Sequence, residues 1–323
     1  MSVDNEPSVE VHALRAGRFT LPERFFVHPA SENAKRTVPS LSFLIQHVNR
    51  ASITTRIVFD LGLRHPSTNY PIPIQRHLET RQPMTTEPDI VQSLAAGGLS
   101  TDDIDYVIYS HVHWDHIGEP KAFGKSTFVV GPGTSSLLEN SSSLRGSHSF
   151  FEPNLLPASR TIELAPVIGA SEKVTFTDMS TKNEVMPDFT QSWVPYGSLP
   201  RVMDIFRDGS VLIVDAPGHL PGHINLLIRT GASKYTYLAG DACHDRRIMR
   251  REREIGEWHD KHGHVCCIHT DKKQAEKTIE LILQLESQGV EVILAHDVEW
   301  EEKPENQARF FGASYQTPIE RSF

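Results

Sequence analysis

Cysteine, positive charge and long apolar runs are all scarce in this chain of 323 residues. The three cysteines are Cys243, Cys266 and Cys267. An odd number, with two adjacent, makes no disulfide framework and suits a reducing compartment, so a cytoplasmic setting is expected. A four-thiolate zinc site is excluded. No run of about 18 apolar residues occurs, and no membrane span is expected. The opening segment Met1–Pro7 is polar and acidic, without the basic start and apolar stretch of a signal peptide. Lys and Arg number 32 against 41 Asp and Glu, a formal charge of −9. A nucleic-acid partner would ask for a basic face and is not expected.

What is present suits a soluble globular protein: 38% hydrophobic and 23% charged residues. The reading is a disordered segment 1–8, then one domain over 9–323 with an insertion around 140–200 that covers one side of the site. Alternating or β-branched stretches predict strands at Val9–Leu14, Leu41–His47, Arg56–Gly62, Asp105–Ser110, Ser126–Val130, Ile224–Ile228, Tyr235–Ala239 and Val290–Ala295. Val202–Phe206 and Val211–Val214 flank Asp208-Gly209 and predict a hairpin. Helical spacing marks Asp89–Leu94 and the amphipathic Lys272–Gln288, each stopped by glycine. The charge-dense Ile248–Trp258 also reads as a helix, and proline-rich Tyr70–Pro88 as an extended loop. Phe25-Phe26 reads as local packing. Two runs of strands, each followed by helices, suggest a sandwich of sheets with helices outside.

The chemistry concentrates in His111-Val112-His113-Trp114-Asp115-His116-Ile117-Gly118. In an extended segment His111 and His113 point the same way and can grip one ion, while Asp115 and His116 fall where the chain turns and can face a second. Three later residues follow apolar strands in the same manner: His219 after Leu212–Gly218, Asp241 after Tyr237–Gly240, and His296 after Val292–Ala295. Strand ends along one edge of a sheet meet in a shared cleft. Imidazole and carboxylate suit Zn2+, and also Fe, Mn or Co. Asp60, at the end of the Arg56–Gly62 stretch, can orient the loop from behind. The His/Cys-rich Trp258–His269 fits no standard zinc module and reads as a loop near the cleft.

This constellation resembles the metallo-β-lactamase superfamily, whose signature is His-x-His-x-Asp-His-x-Gly followed by a distant His, Asp and His. The resemblance spans roughly residues 40 to 300. It implies an α+β fold, a four-layer αββα sandwich with metals at one edge. It also implies two divalent metal ions, Zn2+ foremost: His111, His113 and His219 on the first, Asp115, His116 and His296 on the second, Asp241 bridging. Ala216–His223, Phe59–Gly62 and Gly240–Ala242 resemble acyl-homoserine-lactone lactonases. Those enzymes carry a substrate-contacting tyrosine three residues after the bridging aspartate, where this chain has His244.

The expected function is hydrolysis of a small-molecule cyclic ester or amide. A metal-bridging hydroxide attacks the ring carbonyl, and Asp115 or His244 moves the proton to the leaving atom. Similarity to fungal γ-lactamases points to benzoxazolinone-type aromatic rings. An acyl-homoserine-lactone lactonase or a thioester hydrolase is the alternative. A mononuclear iron oxygenase using His111, His113, His219 and Asp241 is a more distant one. His113 speaks against diiron oxidoreductases, which carry Glu there. A homodimer is compatible with these features.

Overall fold

The protein is described here from a computed structural model covering residues 9–140, 144, 150–167 and 186–313. The expected disorder of 1–8 lies outside the described residues, as does the middle of the expected insertion.

Two six-stranded sheets form the centre. The first contains Val9–Pro22 (β1), Lys35–Val48 (β2), Thr54–Phe59 (β3), Tyr106–Ile108 (β4), Thr127–Val130 (β5) and Thr161–Glu163 (β6), in that spatial order. The second contains Val194–Tyr196 (β7), Leu199–Asp204 (β8), Val211–Asp215 (β9), Ile224–Gly231 (β10), Lys234–Leu238 (β11) and Glu291–Ile293 (β12), again in order. The early strands of each sheet are antiparallel. The late ones (β3 to β6, and β11 to β12) pair in parallel across helical connections.

The period-2 rule sorts side chains between two cores. Phe43, Ile45, Ile57, Phe59, Ile108 and Val129 from the first sheet meet Met203, Ile213, Leu226, Ile228, Leu238 and Ile293 from the second. The intervening Leu44, Val58, Val107, Phe128, Leu212, Val214, Leu227 and Val292 point outward into a second core. Helices Ile90–Ala96, Thr134–Glu139 and Lys272–Ser287 add Leu94, Leu137, Ile279 and Ile282 to that core. The result is the expected αββα layering. Asp89 and Asp271 cap two of these helices by accepting from Gln92 N–H and Gln274 N–H.

Three local expectations change. β1 runs on to Pro22 because a bulge between Arg15 and Arg18 carries pairing past Gly17, where alternation breaks in the sequence. The proline-rich stretch is not a loop throughout. Ile72–Leu78 is helical, since Pro71 and Pro73 sit at its start, where no N–H is needed. The charge-dense stretch is helical only over Arg246–Met249. Arg251 then adopts φ +58, Glu254–Ile255 pairs with Val27–His28, and Glu257–His259 pairs with Val265–Cys267. Among the described residues no helix is long and apolar enough to cross a membrane.

Candidate metal centre

Every candidate ligand sits just beyond a strand end. His111 follows β4, His219 follows β9, Asp241 follows β11 and His296 follows β12. Backbone hydrogen bonds tie these loops together: Ile224 N–H to Ser110 O, Ala295 N–H to Gly240 O, and Leu61 N–H to His116 O. Two glycines make the close approach possible. Gly240 has φ +47, and a Cβ there would lie 2.9 Å from Ser110 Cβ. Gly118 has φ +46, and its Cβ would lie 2.7 Å from Leu61 O.

All seven residues expected as ligands converge, in two groups. His111 Nε2, His113 Nδ1 and His219 Nε2 stand 2.9, 3.0 and 3.2 Å from one another. Asp241 Oδ2 lies 3.6 Å from His111 Nε2 and 3.5 Å from His219 Nε2. These edges are close to the roughly 3.3 Å spacing of donors on a tetrahedron whose centre is 2.0–2.1 Å from each. In the second group Asp241 Oδ1 is 3.2 Å from both His116 Nε2 and His296 Nε2. Asp115 Oδ2 is 3.4 Å from His296 Nε2 and 4.0 Å from His116 Nε2. Asp241 therefore turns one oxygen to each group.

The outer nitrogens of the imidazoles are engaged from behind. His116 Nδ1 is 2.9 Å from Asp60 Oδ2, His296 Nδ1 is 2.8 Å from Pro39 O, and His111 Nδ1 is 3.0 Å from Ser110 Oγ. Asp60 itself has φ +60 and accepts from both Ser110 N–H and Ser110 Oγ–H. Donation from an outer N–H leaves the inner nitrogen as a lone pair aimed at the centre. His116 Nε2 and Asp241 Oδ1 are buried without a hydrogen bond of good geometry, although they face each other. A buried polar pair left in that state asks for a cation. The donor set therefore fits two divalent ions.

The electrostatics agree. Burial pushes His111 and His219 well below the usual histidine range, so both are neutral donors. Burial would also lower His116, but the charges of Asp241 and Asp60 overcome it and hold His116 well above that range. His296 rises to about 10 in the same way, against burial, through Asp241 and Asp115. Burial opposes ionisation of Asp241, yet His296, His116 and His244 keep its carboxyl well below the ordinary value. The raised histidines and the lowered carboxylates have one cause, the attraction between these opposite charges at short range.

His223 has both ring nitrogens engaged by backbone groups. Its Nδ1 is 3.0 Å from Ala216 O, and its Nε2 accepts from Asp241 N–H at 3.1 Å, so it places the Asp241 backbone. Burial lowers it to about 4, which preserves that acceptor. His244 Nε2 lies 3.1 Å from Asp241 Oδ2, and its ring packs on Phe26. A histidine at the end of the segment expected as a loop near the cleft joins it. His269, 2% exposed, groups with His219 and His244. Only the end of the Trp258–His269 segment reaches the centre; His262 and His264 stay exposed on the hairpin. The segment was expected near the cleft, and the hairpin Glu257–Cys267 is what brings His269 rather than His262 or His264 to the centre.

A cavity of about 30 Å³ lies at the centre, lined by Phe19, Trp114, Asp115, Asp241, His244 and His296 among others. A cavity of about 480 Å³ shares Phe26, His77 and Arg81 with it and is walled by Phe25 and Trp258. Phe25-Phe26 is therefore cavity lining as well as packing.

Comparison with known proteins agrees with this architecture. Residues 83–287 match the family model described as metallo-beta-lactamase superfamily. Cytochrome P450 monooxygenase mpaDE' of Penicillium brevicompactum is 30% identical over 299 residues, covering 85% of this chain and 32% of that protein. This chain thus spans about a third of that relative. Gamma-lactamase MBL2 of Gibberella moniliformis is 29% identical over 193 residues, 58% of this chain and 70% of that protein. A quorum-quenching N-acyl homoserine lactone hydrolase of known structure superposes with a TM-score of 0.61 at 19% identity, covering 93% of this chain and 96% of that one. With the sandwich, the His-x-His-x-Asp-His-x-Gly turn at its edge and the family match over most of the chain, this protein belongs to the metallo-beta-lactamase superfamily.

Proposed function

We propose that this chain is a metal-dependent hydrolase that opens a cyclic ester or amide. His111, His113, His219 and Asp241 would hold one divalent ion. Asp115, His116, His296 and Asp241 would hold a second, with Zn2+ the ion this nitrogen-rich set suits best. The observation that carries the reading is the division of Asp241, one oxygen toward each group of donors. Bound ions of this kind lower the pKa of water toward about 7 and polarise a carbonyl oxygen.

The chain's own residues supply the rest. Asp60, Ser110 and Pro39 O hold the imidazoles in orientation. Phe19, Trp114 and Ile268 line the inner cavity, whose 30 Å³ admits about one water. Asp115, on the wall of that cavity, carries the proton toward the leaving oxygen or nitrogen. His244 faces the same space and hydrogen-bonds the substrate's polar atoms there. The aromatic walls of the outer cavity favour a ring substrate such as the expected benzoxazolinone type, and the relative named gamma-lactamase favours a cyclic amide.

The test is metal content by mass spectrometry together with ring opening on a panel of lactones, lactams and cyclic carbamates. About two ions per chain and metal-dependent turnover of at least one ring class are expected. A metal-loaded protein inert toward the whole panel would reject the reading.

A further inference from the structure

Arg81 is 6% exposed, yet no ion pair with a carboxylate accompanies it among the described residues. Among the described residues its guanidinium makes one hydrogen bond, from Nη1 to Thr80 Oγ1, 3.1 Å away. Arg64, buried at 3%, differs: its Nη2 stands 2.9 Å from Glu152 Oε2 as an ion pair without hydrogen-bond geometry, and its Nε and Nη1 donate to Gly118 O and Asn69 O. A buried guanidinium without such partners is costly, and proteins keep one where a ligand completes it. Burial pushes the Arg81 proton affinity down, and the charge of Asp115 across the inner cavity opposes that.

Position gives the residue its meaning. Arg81 ends the turn Glu79–Arg81 after helix Ile72–Leu78, and it lines both the inner cavity beside Asp115 and Asp241 and the 480 Å³ outer cavity. The outer cavity has an aromatic wall, with Phe25 and Trp258 edge to face at 4.9 Å. Its remaining charges are Arg24, which pairs with Glu32 at 3.6 Å, and Lys35 at the exposed rim. The cavity thus combines flat apolar surface with a cation that has no ion-pair contact among the described residues, next to the reacting centre. Its volume suits a ring of drug-like size.

We propose that Arg81 receives a carboxylate carried by the substrate, so that the site selects an aromatic lactone, lactam or cyclic carbamate bearing an acidic group. The planar fork of the guanidinium matches a carboxylate with two parallel hydrogen bonds. The aromatic ring stacks along Phe25, Phe26 and Trp258, and the scissile carbonyl reaches past Arg81 to the inner cavity. This rests on the hydrolase reading for the reaction and on Arg81 alone for the selectivity.

The experiment compares benzoxazolinone and dihydrocoumarin with the same rings bearing a carboxylate, on the metal-loaded wild type, R81Q and R81K. The expected result is a KM about tenfold or more lower for the charged member of each pair in the wild type. R81Q should bring that ratio to about unity, and R81K should keep part of it, having the charge without the fork. Thermal melting checks that each variant is folded. Calorimetric binding of benzoate and benzamide provides a readout independent of turnover. R81Q should weaken benzoate about tenfold and leave the ratio to benzamide near one. Equal KM values for charged and neutral rings in the wild type, or a preference that survives in R81Q, would overturn the proposal. If no ring is opened, the hydrolase reading fails by itself, and the benzoate-to-benzamide ratio in wild type and R81Q decides the role of Arg81.

Discussion

Asp60 Oδ2 lies 2.9 Å from His116 Nδ1 across 56 residues of sequence, and it joins the end of β3 to the His111–His116 turn. Asp60 also accepts from Ser110 N–H and Ser110 Oγ–H, so one buried carboxylate orients both flanks of the turn. Replacing Asp60 by Ala frees the His116 ring and leaves the Ser110 donors unpaired. Metal affinity, read by competition with a chromophoric chelator, is expected to fall about 10–100-fold. An unchanged affinity would mean that the ring is held by packing alone.

Asp241 faces both groups of donors, and Asp241→Asn removes the charge shared between them. Metal content and turnover should drop together, turnover by about a hundredfold or more. His116→Ala affects only the second group, so metal content should fall by about one ion per chain. Near-full activity in either variant would reject a mechanism that needs both ions.

Proton and metal compete at His116 and His296. Both are raised in the metal-free protein, His296 to about 10, against an unfolded value of 6.5. A raised histidine contributes stability that is fully present below its unfolded pKa and lost as pH rises through the folded value. The chelated protein should therefore melt at a higher temperature at pH 6 than at pH 9. Metal uptake must displace these protons, so apparent affinity should climb with pH over the same window. Calorimetry in buffers of different ionisation enthalpy would count the protons released.

His244 stands 3.1 Å from Asp241 Oδ2 on the inner cavity. If it hydrogen-bonds the substrate, His244→Ala should lower kcat about 10–100-fold while metal content stays within experimental error of the parent. Unchanged turnover would assign it to packing against Phe26.

Asp204 lies far from the centre, at the Asp208-Gly209 hairpin. Burial lifts its carboxyl to about 6, and its Oδ1 has no hydrogen bond while Oδ2 accepts from Gly209 N–H. A raised acid is destabilised once ionised, so this cost appears as pH rises from about 4 through 6. Asp204→Asn keeps an acceptor for Gly209 and should raise stability at pH 7.5 by up to about 3 kcal/mol, with little effect at pH 4. Denaturant titrations at the two pH values measure it.

Much of the site was legible because its residues lie next to signals that survive in one dimension. His111 to His116 are contiguous, and His219, Asp241 and His296 each follow an apolar strand. Asp60 was legible as the carboxylate ending β3. The helix Ile72–Leu78 was hidden because Pro71 and Pro73, which read as breakers, occupy positions where a helix tolerates them. Arg81, at the end of that segment, was hidden with it. The charged Ile248–Trp258 misled in the other direction: ion pairs such as Arg250 with Glu252 and Glu299 stabilise an irregular surface as well as a helix.

Strand periodicity and ligand chemistry are local properties, so a sandwich of sheets with helices outside and a cluster of candidate metal-ligand residue types are both readable along the chain. Folding is what brings those residues together. Asp241 turns one oxygen to each histidine group only because β11 and β12 lie parallel, with Ala295 N–H bonded to Gly240 O. It also decided which distant side chains face the reacting space. His269 arrives through a hairpin, and Arg81 arrives through a helix that packs beside Trp114. Selectivity depends on such non-local packing, and no spacing along the chain encodes it.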